Sequence, residues 1–226
     1  MIKKSFVNWS WNVRGKSDDP RDGVGRGDWT AEQFKNFTSE IINLLNLEHY
    51  DYLLDIGCAQ GYMTNIFSKK IKNAIGIDIS PSSIKKAESL YKKNEKIQFF
   101  KCKNEPSYTF KNEMFTKIIC LDVVQYFTSN KQFEKLFSEI YRMLQHNGMA
   151  LIGGIRIKIN RKDENNKNFD RSIRNIIGKE LAYLLHRTYS KDYINIVIKK
   201  NKFKESQLYE SNYYPGFTAF NLLLKK

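Results

Sequence analysis

Two acids and a glycine-bearing turn have the residue types and spacing to handle a ligand. The run Leu53-Leu-Asp-Ile-Gly-Cys-Ala-Gln-Gly61 passes from apolar residues into a turn with Gly57 and Gly61. Glycine there lets a ligand approach the backbone, and a helix starting at the turn offers its free N–H groups. A dinucleotide fingerprint would need glycines at 59 and 62, where the chain has Ala59 and Tyr62, so that chemistry is excluded. A second acid, Asp78, closes the next apolar run, 17 residues beyond Gly61.

The elements that must position these residues are legible from periodicity. Thr30 and Gln33 read as a capping box, and Phe34, Phe37, Ile41, Leu44 and Leu45 then recur at helical spacing until about Leu47. Short β-type runs at 52–56, 74–79, 97–102, 117–123 and 149–155 alternate with helical stretches. Ser80 can cap a helix whose first position is Pro81, where the missing N–H costs nothing. Phe133, Leu136, Phe137, Ile140, Met143 and Leu144 form one face of an amphipathic helix. A helix at 191–200 and two closing strands, 203–213 and 217–224, joined through Pro215 and Gly216, complete the pattern. Strands separated by helices imply right-handed crossovers, hence an α/β fold with a doubly wound, mainly parallel seven-stranded sheet. We expect one domain over 29–226, with an insertion at about 160–190 containing a helix near 172–186. Residues 1–28 show no period of 2 or 3.6 and are expected to form a lid or flexible segment.

Ligands of such sheets bind outside the C-terminal strand ends. The segment with Asp55, Gly57 and Gly61 resembles motif I of the class I S-adenosylmethionine-dependent methyltransferases, a Rossmann-like fold, with Ala59 in place of the middle glycine common in that family. The resemblance covers about residues 50 to 156, and more faintly 190 to 226. It implies a cofactor cradle made by Asp55, Gly57, Cys58, Ala59, Gly61 and Tyr62. It further implies that Asp78 accepts the ribose hydroxyls of S-adenosylmethionine and that Ile79 lines the adenine. The acid often found after the third strand is missing from Cys102-Lys-Asn-Glu105, so Asn104 would meet the adenine amino group. Leu121 and Asp122 end the fourth strand where the family's motif IV faces the methionine part of the cofactor. Leu144-Gln-His-Asn-Gly148 stands where the family often has Leu-Lys-Pro-Gly-Gly. S-adenosylhomocysteine would be the product.

The acceptor is less constrained. An Asn/Asp-Pro-Pro-Tyr/Phe tetrapeptide, typical of amide or exocyclic amine methylation, is absent: the chain reads Leu121-Asp-Val-Val124. Cys58, Cys102 and Cys120 contain no CxxC pair and lie in a turn, at a strand end and inside a strand, which fits neither a zinc site nor a nucleophile. No metal is expected. His49 and His146 precede strands and belong to the edge opposite the site, leaving His186 with Tyr126 and Asp122 as catalytic candidates. Trp11, Arg14, Gln125, Arg171, Arg174 and Arg187 are candidate acceptor contacts, because arginine's fixed fork recognises phosphate or carboxylate. They suggest O-methylation of an anionic small molecule, such as a phosphorylated or nucleotide-linked sugar in bacterial surface-glycan or secondary-metabolite synthesis.

Composition sets the outer bounds. The 226 residues are 41% hydrophobic and 27% charged, with 4 Pro and 12 Gly, which excludes collagenous or wholly disordered chains. The net charge of +14 allows nucleic acid or a phosphate-bearing partner. Lys outnumbers Arg about threefold and accompanies much Asn, Ile and Tyr, a pattern that A- and T-rich coding DNA produces and that makes a solvated surface. RNA methylation and a non-enzymatic nucleotide- or partner-binding role are therefore the alternatives to small-molecule transfer. Reduced thiols, the lack of an apolar leader and the lack of an apolar run of membrane-spanning length point to the cytoplasm.

Overall fold

The computed structural model describes residues 2–19, 23, 25–27, 29–103, 105–158, 186–211 and 219–226. Its centre is one sheet of seven strands: β1 (Tyr52–Ile56), β2 (Asn73–Asp78), β3 (Ile97–Lys101), β4 (Phe115–Leu121), β5 (Leu144–Ile155), β6 (Glu205–Ser211) and β7 (Ala219–Lys225), in the order 3-2-1-4-5-7-6. β1 pairs in parallel with β2 and β4, β2 with β3, and β4 with β5; β7 runs antiparallel to both β5 and β6. Strand order reverses at β1, between β2 and β4, which places the ligand crevice beyond Ile56.

Among the described residues six α-helices flank the sheet: α1 (Ile2–Arg14), α2 (Ala31–Leu45), α3 (Tyr62–Ser68), α4 (Pro81–Tyr91), α5 (Asn130–Met143) and α6 (Lys191–Lys200). The capping box closes as expected, with Gln33 N–H donating to Thr30 Oγ1 at 3.1 Å and Thr30 N–H to Gln33 Oε1 at 2.8 Å. Ser80 caps α4, with Pro81 at its first position. On one face of the sheet, Phe133, Leu136, Phe137 and Ile140 of α5 and Ile194 and Val197 of α6 bury against the strands. On the other, Phe34, Phe37, Ile41 and Leu45 of α2 join Trp29 and Phe67. Each of these side chains contributes roughly 1.5–3 kcal/mol by leaving water.

Several bounds differ from the sequence reading. Residues 2–14 are helical. Isolated propensity does not hold a helix of this length; contacts to the domain do, from buried Val7, from Trp11 one turn on, and from the Asn12 carbonyl, which accepts from Ser82 Oγ at 2.7 Å. β4 stops at Leu121 because Asp122 takes φ +58 and the chain turns into a 3-10 segment, Val124–Tyr126. β5 begins earlier than expected: Leu144 pairs with Phe115 across a register shift, so the turn read at Leu144–Gly148 is the strand's opening. The helix expected at 172–186 lies almost wholly outside the described residues, His186 standing past 159–185, and the Pro215–Gly216 joint lies outside them too.

The connection between β3 and β4 is clamped to α5 by one ion pair. Arg142 donates to the carbonyls of Phe110 (2.7 Å) and Tyr108 (3.0 Å) and to Glu139 Oε2 (2.8 Å), and Tyr108 N–H donates to the same Glu139 oxygen at 3.2 Å. Burial alone would raise the Glu139 carboxyl; the bonds from Arg142, Tyr108 and Lys135 outweigh it and leave the group below its ordinary 4.5. A lowered folded value means that the clamp stabilises above that ordinary value and fades as pH falls through the lower one. Glu139→Gln should therefore cost about 1–3 kcal/mol at neutral pH, and urea unfolding should show the gap to wild type closing in acid.

Candidate active site

The crevice beyond the strand ends is built by the turn after β1. Gly57 has φ +82 and its N–H donates to the Ile77 carbonyl at 2.8 Å; a Cβ there would stand 2.3 Å from Val123 Cγ2. Gly61, at φ +74, caps α3 and presses against Phe99, where a Cβ would meet the ring at 2.4 Å. Both positions combine left-handed backbone with no room for a side chain. Ala59, at φ +48, gives its N–H to Asp78 Oδ2 at 3.0 Å, and Ser80 N–H binds Asp78 Oδ1 at 2.8 Å. Asp78 is 8% exposed. Burial pushes its carboxyl up, and N–H bonds from Ser80, Ala59 and Ile79 pull it back without cancelling the rise.

A cavity of about 90 Å³ opens against Gly57, Ala59, Asp78, Ile79, Leu121 and Asp122. It is smaller than the ~300–1,000 Å³ of typical small-molecule sites, and Val7 and Trp11 of α1 stand over it. Tyr126 lines the far end, its ring edge-on to Trp11 at 5.7 Å and to His186 at 5.0 Å. Arg26 forms an ion pair with Asp122 and lies over the Trp29 ring at 4.5 Å.

Of the residues expected at the cofactor, Gly57, Ala59, Asp78, Ile79 and Leu121 meet in this cavity. Asp55 stands behind it, accepting from Thr64 Oγ1 at 2.5 Å. Cys58 packs into a core with Ile84, Ala87 and Phe99. Tyr62 faces away to Phe34, ring centroids 5.0 Å apart, and its neighbour Met63 takes the lining position, since one step along a helix turns a side chain by about 100°. Asn104 lies outside the described residues. Of the catalytic candidates, Asp122 and Tyr126 line the cavity, and of the acceptor candidates Trp11 does. Gln125 is buried behind it, and Arg187 is spent on the Thr128 carbonyl at 3.1 Å and Asn130 Oδ1 at 2.5 Å. Arg14 is exposed, stacked 5.9 Å from the Trp11 ring centroid; Arg171 and Arg174 lie outside the described residues. Sequence reasoning did not place Met63 or Arg26 among the site residues, and both line the cavity; Arg156, just past β5, is buried without lining it.

The titrating groups exclude thiol chemistry. Burial pushes Cys58 and Cys120 well up and Cys102, which lines the cavity, up to about 12, so no thiolate forms near neutrality. Tyr126 is raised chiefly by burial and then by Asp122, against smaller opposing effects of Gln125, Arg14 and Arg156. It is a hydroxyl donor. Among the described residues, no three His, Cys, Asp or Glu side chains gather as metal ligands.

Residues 54–152 match the family model described as a methyltransferase domain. That segment is similar to a methyltransferase domain. The chain superposes on the crystal structure of N-methyltransferase NodS from Bradyrhizobium japonicum in complex with S-adenosyl-L-homocysteine, TM-score 0.70 at 17% identity, covering 96% of this chain and 97% of that one. An uncharacterized methyltransferase of Schizosaccharomyces pombe is 35% identical over 69 residues, 27% of this chain and 26% of the relative. The ribosomal RNA small subunit methyltransferase A of Mycoplasma mobile is 30% identical over 105 residues, 46% of this chain and 39% of the relative. The chain thus spans well under half the length of these two curated relatives. The matched span contains the turn after β1, Asp78 and the end of β4.

Two predictions follow from the turn. Gly57→Ala should lose about 1–3 kcal/mol of stability in denaturant unfolding, because the methyl meets Val123 and the backbone is strained. Burial raises Asp55 from 3.8 to about 7, with the Thr64 bond opposing and Asp78 reinforcing. A raised folded value means its contribution is complete below the unfolded value and is lost as pH rises through about 7. Asp55→Asn should flatten the fall in stability between pH ~4 and ~7; parallel curves for variant and wild type would refute this.

Proposed function

We propose that the protein transfers methyl from S-adenosylmethionine to an oxygen of a small polar acceptor that carries an anionic group. The observation that carries the cofactor assignment is the Asp78 carboxylate, fixed at a strand end by Ala59 and Ser80 N–H groups and lining the cavity. Each oxygen keeps acceptor capacity beyond its N–H bond, which suits the paired hydroxyls of a ribose. Ile79, Leu121 and Met63 give the adenine and thioether an apolar lining, and the side-chain-free Gly57 lets the backbone come close.

When bound, S-adenosylmethionine supplies a methyl group on a positively charged sulfur. The chain's work is alignment, exclusion of water and handling of the acceptor proton. Val7, Trp11, Pro106, Tyr108 and Phe127 wall the cavity with apolar surface. Asp122, held by Arg26, is the carboxylate placed to take a hydroxyl proton, and the protonated Tyr126 orients the acceptor by donating a hydrogen bond. Arg26 in the cavity wall and Arg14 over the Trp11 ring support an anionic acceptor, with phosphorylated or nucleotide-linked sugars as the class to screen first. RNA is the second reading, favoured by the Mycoplasma mobile relative; RNA binding that weakens steeply with salt would carry it.

Calorimetry of S-adenosylmethionine and S-adenosylhomocysteine binding tests the cofactor assignment. Wild type should bind in the micromolar range, and Asp78→Ala roughly 100-fold more weakly, as two hydrogen bonds to a charged group are lost. A folded wild-type protein that binds neither compound would sink the methyltransferase reading and promote the non-enzymatic one.

A further inference from the structure

The basic residues of this chain are not spread evenly. Residues 65–103 hold ten lysines against Asp78, Glu88 and Glu95, so 39 of the 226 residues carry half of the +14 net charge. A coding bias toward lysine would distribute it along the chain. Six of the ten stand on two connections, Lys69, Lys70 and Lys72 after α3 and Lys92, Lys93 and Lys96 after α4, at the sheet edge opposite the turn after β1. The two connections are fastened together. Asn94 Nδ2 donates to Asn65 Oδ1 at 3.1 Å and to Ser68 Oγ at 3.0 Å, Lys96 Nζ donates to the Ile71 carbonyl at 3.3 Å, and Ala74 N–H donates to the Lys96 carbonyl at 2.8 Å. A broad depression of about 580 Å³ opens here, lined by Asn65 and residues 89–96.

Among the described residues, none of Lys69, Lys70, Lys72, Lys92 and Lys93 pairs with a carboxylate, whereas Lys135, Lys200, Lys225 and Lys226 elsewhere meet Glu139, Glu134, Glu205 and Glu113. Glu95 is the one acid lining the depression. Cations are favoured at helix C-termini, which accounts for Lys69 and Lys92 at the caps of α3 and α4. That effect is confined to the last turn, and Lys72, Lys101 and Lys103 lie beyond it. From the depression the outer strand β3 leads toward the cavity, rising about 16 Å over its five residues. It exposes Gln98, Phe100 and Lys101, and Lys103 just past it stands in the cavity wall. Edge strands guard themselves with lysine, but an exposed aromatic does the opposite. Phe100 is 47% exposed, and the half-buried Tyr91 lines the depression.

We infer that this surface, from the depression along β3 to Lys103, is a docking track for single-stranded RNA, with lysines meeting the phosphates and Phe100 and Tyr91 stacking against bases. Lysines alone would suit any polyanion. Aromatic rings among them favour nucleic acid, since every base has a face to stack. Stacking needs bases free of partners, which is what RNA loops and ends present. The track goes beyond the methyltransferase reading and stands without it, because Lys103 is the one part of it that lines the cavity.

The test titrates the full chain into a short fluorescein-labelled oligouridine and reads anisotropy at about 50 and about 200 mM salt. Binding should weaken about 50-fold between the two, as expected when roughly four phosphates of a single strand are neutralised. Lys92→Gln combined with Lys93→Gln should weaken binding roughly tenfold at the lower salt and make the logarithmic salt slope shallower by about 1.4. Phe100→Ala should weaken it at least about fivefold and leave the slope unaltered. Lys199→Gln combined with Lys202→Gln, an equal charge change on exposed residues at the end of α6, should stay within about twofold of wild type. Lys92 and Lys93 are exposed too, so neither lysine variant disturbs the core. Wild type that ignores oligouridine at the lower salt, a slope unchanged in the Lys92 and Lys93 variant, or an equal loss in the Lys199 and Lys202 variant would overturn the track. Polyglutamate that displaces the strand as well as unlabelled oligouridine does, with Phe100→Ala binding normally, would reduce it to a general polyanion surface and overturn it too. S-adenosylhomocysteine affinity, measured separately, should be the same in every variant; wild type that binds oligouridine and never binds S-adenosylhomocysteine would remove the methyltransferase reading and leave the track standing.

Discussion

The carboxylate of Asp78 joins three pieces of chain that are remote in sequence. It ends β2, receives the N–H of Ala59 from the turn after β1, and receives the N–H of Ser80 from the start of α4. A buried acid is costly unless its oxygens are bonded, and here the bonds that satisfy it also fix the turn that would cradle a cofactor. Remove the acid and the turn loses its anchor; straighten the turn and the acid loses its donors. Gly57 and Gly61 make this closure feasible, because the turn needs two left-handed residues under contacts with Val123 and Phe99.

The same network carries the cap. Gln60, inside the turn, donates to the Ser17 carbonyl at 2.8 Å, Ser80 Oγ donates to Asn12 Oδ1 at 2.9 Å, and Ser82 Oγ donates to the Asn12 carbonyl. Arg26 ties the segment after α1 to Asp122 at the end of β4. The N-terminal residues are therefore fastened to the loops that would hold a cofactor, and a molecule that shifts those loops also shifts Val7 and Trp11 above the cavity.

Local chemistry made much of this legible in the sequence. Thr30 with Gln33, and Ser80 with Pro81, mark helix starts through short-range bonds that need no tertiary context. Asp55, Gly57, Gly61 and Asp78 are readable because each answers a backbone demand at a strand end. The failures share one cause, dependence on distant partners. α1 has no strong period and is held by residues 60, 80 and 82. Tyr62 and Met63 exchange roles because the phase of α3 is set by packing of Tyr62 on Phe34. Arg156 was invisible beside other basic residues until β5 and the 3-10 turn brought it to Gln125. Arg187 shows the reverse: a promising arginine consumed by the Thr128 carbonyl and Asn130.

The most direct measurement is a crystal structure of the protein with S-adenosylhomocysteine at a resolution that places hydroxyl oxygens. The account predicts both ribose hydroxyls within about 2.6–3.0 Å of the two Asp78 oxygens, with the Ala59 and Ser80 N–H bonds retained. A ribose bound by other groups, or a complex in which Asp78 keeps only its backbone partners, would contradict it.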